Sequence, residues 1–321
     1  MVYEAFLELI IQKLQEALGE DYQFTLRPLP KNNGVVLDGL TIQGPGAALT
    51  PTVYLNPYYR QFSDGTALEQ ILEDILQLYR STPVPEPVTE ERIRNFDAIK
   101  DRVMFRLVHT ASNRTLLSDV PHIPFLDLSI IFFLALERRD SGQITALIHN
   151  GHMKMWNTSP EKLWQLAEHN TPAEYPASIR SMPELVREIA RSQMGSRYDE
   201  SEIVELLAQD EEEAIPLYVL SNDSGLYGAS CIIYQDILKD FADQLERDLI
   251  ILPSSVHEVL ITPDTDLTDY NELSAMVFSI NRHEVPLEDQ LSNQVYLYSR
   301  SDRSIHVMSH GSEAVGAAAL S

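Results

Sequence analysis

The sequence predicts an α+β fold, and three observations carry that prediction. Some segments place apolar residues at helical spacing, whereas others alternate or run apolar for four to eight residues. Turn signals separate the strand-like segments at several different spacings, unlike the regular alternation of a parallel α/β chain. A proline-alternating stretch then divides a short helix-plus-meander region from a longer mixed one.

The elements follow in order. Phe6, Leu7, Ile10, Ile11, Leu14 and Leu18 form one stripe and predict a helix over 2–18, stopped by Gly19. Strands are expected over 22–29 and 35–42, joined by the Asn32-Asn33-Gly34 turn, with a third over 50–55 after Gly44-Pro45-Gly46. Leu68, Ile71, Leu72, Ile75, Leu76 and Tyr79 predict a helix over 67–79. Pro83, Pro85 and Pro87 cannot sit inside a helix. They mark a linker over 81–91 between an N-terminal unit (1–80) and a main domain (92–308). A flexible tail is expected over 309–321.

In the main domain, 97–108 reads as a short helix running into a strand, and 126–136 and 143–148 read as strands. Ser159 and Pro160 open a helix up to His169 as cap and first helical residue. Helices follow over 182–194 and 234–245, and strands over 216–220, 249–252 and 256–261. The 199–213 segment carries eight acidic residues and no basic one, and reads as a solvated helix and loop. Asp269 and Glu272 cap a helix to about Ile280, and 295–298 with 304–307 close as a hairpin.

Charge is the strongest global feature. Lys and Arg number 24 against 48 Asp and Glu, a net charge of −24 over 321 residues. Direct nucleic-acid binding needs a basic footprint, and an anionic leaflet would repel this chain, so neither is expected. The first 20 residues lack the basic start of a secretory signal. The longest apolar run, 130–136, falls far short of the ~20 residues of a membrane helix. One cysteine, Cys231, can form neither an internal disulfide nor a thiolate metal cage, and its apolar neighbours mark a buried small hydrophobe. These readings place the protein in the cytoplasm, away from membranes.

Ser254-Ser255-Val256-His257-Glu258 is the densest polar cluster and suggests a Ser–His–carboxylate site. If the segment is a strand, Ser255 and His257 share a face and Glu258 points away, so the acid must come from elsewhere. Both faces of such a strand are partly apolar, which forces His257 or Glu258 into a dry setting where it needs a partner. No G-x-S-x-G elbow is present. Arg106, Asn113 and Arg114 form a second candidate set, suited either to an anion or to internal acids.

His149 and His152 have helix-face spacing for a metal, but Asn150-Gly151 reads as a turn and no third ligand is near in sequence. Asp264, Asp266, Asp269 and Glu272 imitate a calcium loop yet place Asp269 where glycine is needed and Ala275 where glutamate is needed. No phosphate-cradling glycine loop occurs. Neither metal nor cofactor is expected.

Several blocks resemble a known family. Asn32-Asn33-Gly34-Val35-Val36-Leu37-Asp38-Gly39-Leu40-Thr41-Ile42 and Pro51-Thr52-Val53-Tyr54-Leu55 are similar to the opening of the domain-of-unknown-function family DUF5688. Arg106-Leu107-Val108, Asn113-Arg114 and Pro121-His122 resemble its middle blocks. Tyr218-Val219-Leu220-Ser221-Asn222, Gly228-Ala229 and Leu252-Pro253-Ser254-Ser255-Val256-His257-Glu258-Val259 resemble its close, and add Asn222 to the candidate ligand-binding residues. The resemblance implies a bacterial, cytosolic setting and one unit spanning the linker. It brings no activity and no catalytic residues.

The combined expectation is a non-enzymatic binding or regulatory module with an acidic surface and a groove near residues 254–258. Its partner would be a protein with a basic surface. The rivals are a hydrolase using Ser255 and His257, which needs a carboxylate within reach of His257 on the Ser255 side, and an acidic mimic of nucleic acid.

Overall fold

The computed structural model describes residues 1–45, 52–81, 90–139, 142–194, 216–265 and 267–308. It begins with helix α1 (Tyr3–Leu18), then strands β1 (Gln23–Pro30), β2 (Val36–Gln43) and β3 (Thr52–Tyr54), paired antiparallel in that order. Helices α2 (Leu55–Ser63) and α3 (Leu68–Ser81) follow. The helical stripe does what its spacing predicts: Phe6, Ile10 and Leu14 are fully buried against Leu40, Ile42, Ile71 and Ile75. Burying each such side chain contributes about 1.5–3 kcal/mol. Every residue of this cluster lies between 3 and 79. Helix α2 is an addition to the expected elements: Leu55, Tyr58, Tyr59 and Phe62 keep helical spacing and pack into this cluster, but no capping bond marks its start at Tyr54 and it follows β3 without a turn.

Short helices α4 (Glu90–Arg94) and α5 (Phe96–Ile99) lead into β4 (Val103–His109), α6 (Arg114–Leu117), β5 (His122–Phe125), β6 (Leu128–Arg139) and β7 (Gly142–Leu147). These strands form an antiparallel sheet centred on β6, with β4 along one edge and β5 then β7 along the other. Val103, Phe105 and Leu107 enter the main core, while Met104 and Val108 pack on the opposite face. Burial on both faces explains why 130–136 reads as a continuous apolar run.

Helices α7 (Asn150–Trp156), α8 (Pro160–Glu174) and α9 (Met182–Met194) accompany β8 (Ala177–Ser181). Next come β9 (Tyr218–Asn222), α10 (Ile237–Leu245), β10 (Leu249–Leu252), β11 (Val259–Pro263), α11 (Tyr270–His283), β12 (Tyr296–Ser299) and β13 (Ser304–Val307). The resulting antiparallel sheet has the order β13-β12-β10-β11-β9-β8. Its inner residues Ile251, Ile261 and Tyr296 share one core with Phe105 and Phe132 of the neighbouring sheet and Leu163 of α8.

The α+β class holds, as do the Ser159 cap, which accepts from the Lys162 amide, and the Asp269 cap, which accepts from Asn271 and Glu272. Several details differ, beyond short additions such as α6 and the extension of α8 to Glu174. Strand β11 starts at Val259, not at 256. Asn150-Gly151 opens α7 instead of turning, because the Asn150 amide and side chain bond the carbonyls of Asp119 and Ser118. Helix α10 starts at Ile237, after a 3-10 turn over Gly228–Ile233 and a left-handed Asp236. Strands β5, which contains Pro124, and β8, Ala-Ser-Ile-Arg-Ser, are additions, and neither has the apolar run that marks the equally short β10. The core of the proline linker (82–89), the acidic 199–213 segment and the 309–321 tail lie outside the described residues.

Candidate functional site

The site is built on the turn that leaves β9. Asn222, at the strand's end, accepts from the Ser224 amide and hydroxyl and donates to the Leu226 carbonyl. Its polar atoms thus form the turn itself. Gly225 and Tyr227 both have positive φ, at 67° and 56°. Glycine takes that conformation freely; a bulky tyrosine pays about 1–3 kcal/mol of strain for it. Gly228 follows, and a Cβ there would overlap Ser221 Oγ and the His257 carbonyl oxygen. That close approach packs the turn onto the 254–258 segment and fixes the Tyr227 ring.

Tyr227 lies parallel to the His257 imidazole, with centroids 5.9 Å apart and planes 10° apart. The Arg106 guanidinium stands 4.3 Å over the same tyrosine ring. His257 Nε2 faces Asp289 Oδ1 at 3.2 Å, and its Nδ1 faces the Gly225 carbonyl at 3.2 Å and the Tyr227 amide at 3.4 Å. Asp289 belongs to a 3-10 turn over Leu287–Asp289, held to the 254–258 segment by the Val256 amide on the Asp289 carbonyl and by a bridge between Ser255 and Gln290. About a third of each side chain of the His257–Asp289 pair meets solvent (33% and 34%), so the pair is neither sealed nor freely bathed.

The strand geometry expected of 254–258 is therefore corrected. Ser255, His257 and Glu258 precede β11, in a bend whose amides are diverted: His257 N–H donates to Ser255 Oγ at 3.0 Å, and Val256 N–H goes to Asp289. Ser255 thus meets the backbone of His257 instead of its ring. Glu258 is exposed, not dry. Ser254 is half-buried, and its carbonyl accepts from Leu291. A carboxylate from elsewhere does reach the imidazole, as Asp289.

Of the second candidate set, only Arg106 joins this cluster. It is partly exposed, yet its Nε is buried with no hydrogen-bond partner. Asn113 is buried and exchanges hydrogen bonds with Asn33: its Oδ1 accepts from the Asn33 amide at 2.8 Å, and its Nδ2 donates to Asn33 Oδ1 at 2.9 Å. Asn33 also donates to the carbonyls of Leu287 and Gln290, and Asn32 to that of Glu288. The N-terminal meander thereby clasps the turn that carries Asp289. Arg114 is exposed on α6.

Among the described residues, no group of three or more metal-capable side chains converges. His149 Nδ1 pairs with Asp119 at 2.8 Å, and His152 Nδ1 accepts from the His149 amide at 3.0 Å, so both imidazoles serve the start of α7. Burial pushes the Cys231 thiol up to about 12, far from a reactive thiolate. Two surface clefts lie apart from the site: one of about 490 Å³ lined by Ile233, Lys239 and Arg303, one of about 370 Å³ lined by Arg102, Glu137 and Glu174. Sequence reasoning missed Tyr227 and Asp289. The glycines flanking Tyr227 are its one local signal; Asp289 sits in a polar stretch without any.

Among the described residues, no helix is long and apolar enough to cross a membrane. Comparison with curated proteins and with solved structures finds no match. A family model described as a family of unknown function (DUF5688) does match, over residues 3–300, and the chain belongs to that family.

Proposed function

We propose that this protein is a non-enzymatic binding module of the bacterial cytoplasm, with an acidic surface and a ligand seat formed by Tyr227, His257 and Asp289 beside Arg106. One observation carries the reading: both ring nitrogens of His257 are engaged, by Asp289 and by the 225–227 backbone, while the Ser255 hydroxyl serves a backbone amide. A general base must face its nucleophile, and this imidazole faces a carboxylate and a turn. The strained Tyr227 marks the same turn as a working position, since backbone strain gathers at ligand clamps and active sites alike. The net charge of −24 favours a partner that is basic away from the seat.

The rival hydrolase has Asp289 in its favour and the Ser255 contact against it. Two measurements decide. A fluorophosphonate probe should leave the protein unlabelled; labelling that disappears in Ser255→Ala would establish the hydrolase instead. Fragment mapping by amide shifts should concentrate on residues 225–228, 257 and 287–290, and hits that avoid these positions would remove the seat.

A further inference from the structure

We infer that Arg106 is the anion-receiving group of this seat, and that the ligand presents to it a carboxylate or phosphate oxyanion. The inference rests on the binding reading above and adds the ligand's chemistry. On the Arg106 face of the central sheet stand Met104, Val108, Ile131 and Phe133, each 4% exposed or less. A guanidinium among such neighbours needs acceptors. Its central carbon stands 4.3 Å from the centre of the Tyr227 ring, yet among the described residues no hydrogen bond or ion pair reaches it, and Nε is sealed from solvent. Acids outnumber cations two to one in this chain, 48 to 24, so an unpaired, half-buried arginine is not for want of carboxylates. Asp289, the acid of the cluster, is turned to His257.

An unmet buried donor opposes folding, and a guanidinium held against an aromatic ring presents its remaining N–H groups as a planar fork. The complement of that fork is a planar or tetrahedral oxyanion taken by two parallel hydrogen bonds. The surrounding negative field disfavours polyanions, so the ligand carries a single anionic group on an otherwise neutral or cationic body. Arg106 would anchor that group, with Tyr227 and His257 against the adjoining part of the ligand.

The test uses the full chain with ¹⁵N-labelled arginine. Because Nε–H is shielded from water, its signal should persist at neutral pH, and its absence from Arg106→Lys assigns it. Benzoate and inorganic phosphate are titrated separately at constant ionic strength. A saturable shift of this signal with benzoate identifies a carboxylate ligand, and with phosphate a phosphoryl ligand. Arg106→Lys, which keeps the charge and loses the fork, should bind at least about tenfold more weakly. Arg106→Met should abolish binding while raising the melting temperature, since the sealed donor is gone. If neither anion moves the signal saturably, or Arg106→Lys binds as well as the wild type, the assignment is wrong. Fragments gathering at Tyr227 and His257 in that case would leave the seat standing without its anion, whereas Ser255 labelling would overturn the seat itself.

Discussion

The region before residue 80 and the region after residue 90 are stabilised in different ways. The first packs α1, α2 and α3 on a three-stranded meander around Phe6, Ile10, Leu40 and Ile75, with every member of the cluster within residues 3–79. The second joins two sheets and α8 through one core running from Ile99 to Tyr298. They meet at the Asn32–Gly34 turn, where Asn33 and Asn113 exchange hydrogen bonds. Among the described residues, the N-terminal cluster has no member in the candidate site, but its clasp grips the turn carrying Asp289. A core built from near neighbours thus supports a site built from distant ones: Arg106, Tyr227, His257 and Asp289.

The largest effect should come from breaking the first core alone. Phe6 is fully buried, and Phe6→Ala should cost about 3–5 kcal/mol. If the two cores are separate, hydrogen exchange will show β1 and β2 amides losing protection while β10 and β11 keep theirs. Equal loss in all four strands would mean that the regions fold as one cooperative unit.

The same contrast explains what could be read from sequence. The stripe of α1, the caps Ser159 and Asp269 and the β12–β13 hairpin depend on residues a few positions apart, so spacing alone reveals them. At 256–261 the apolar pattern is just as clear and still misleads. The amides of Val256 and His257 are taken by Asp289 and Ser255 Oγ, so ladder pairing begins only at Val259. Periodicity records which side chains are apolar, not where the backbone hydrogen bonds go. Asp289 lies 32 positions beyond His257, and no local rule connects them. Arg106 and His257 were legible as residue types; their meeting on Tyr227 was not.

A smaller effect should follow from cutting the clasp. Asn113→Ala removes the partners of the Asn33 amide and Oδ1, while Asn33 Nδ2 keeps Leu287 and Gln290, a loss of about 1–3 kcal/mol for groups left unmet in a partly buried setting. Both cores should survive it, and calorimetry should show the N-terminal transition separating from the main one. A single, unchanged transition would show that the regions are coupled by something other than this turn.

The smallest effect distinguishes the regions by pH. All nine histidines lie beyond residue 108, so imidazole titration can alter only the second region directly. His152 is the one to follow. Burial, then the neighbouring His149, holds its pKa below the ordinary value, while Asp119 pulls the other way. Its ring stacks on Trp156 at 5.2 Å, and Trp156 in turn stacks on Phe96 at 5.5 Å and donates to the Ile93 carbonyl. Nδ1 can accept the His149 amide only while unprotonated. The unfolded chain, with a histidine pKa of about 6.5, therefore takes up a proton before the folded one does. Stability from this group is complete above that pH and declines as pH falls below it, until the folded imidazole protonates as well. Denaturation midpoints for the main transition should fall between pH 7.5 and 5.5 (values chosen to bracket about 6.5), and less steeply in His152→Gln, which cannot titrate. An identical decline in both proteins would assign the pH dependence to other groups, and a matching decline in the histidine-free N-terminal transition would show that the clasp transmits it.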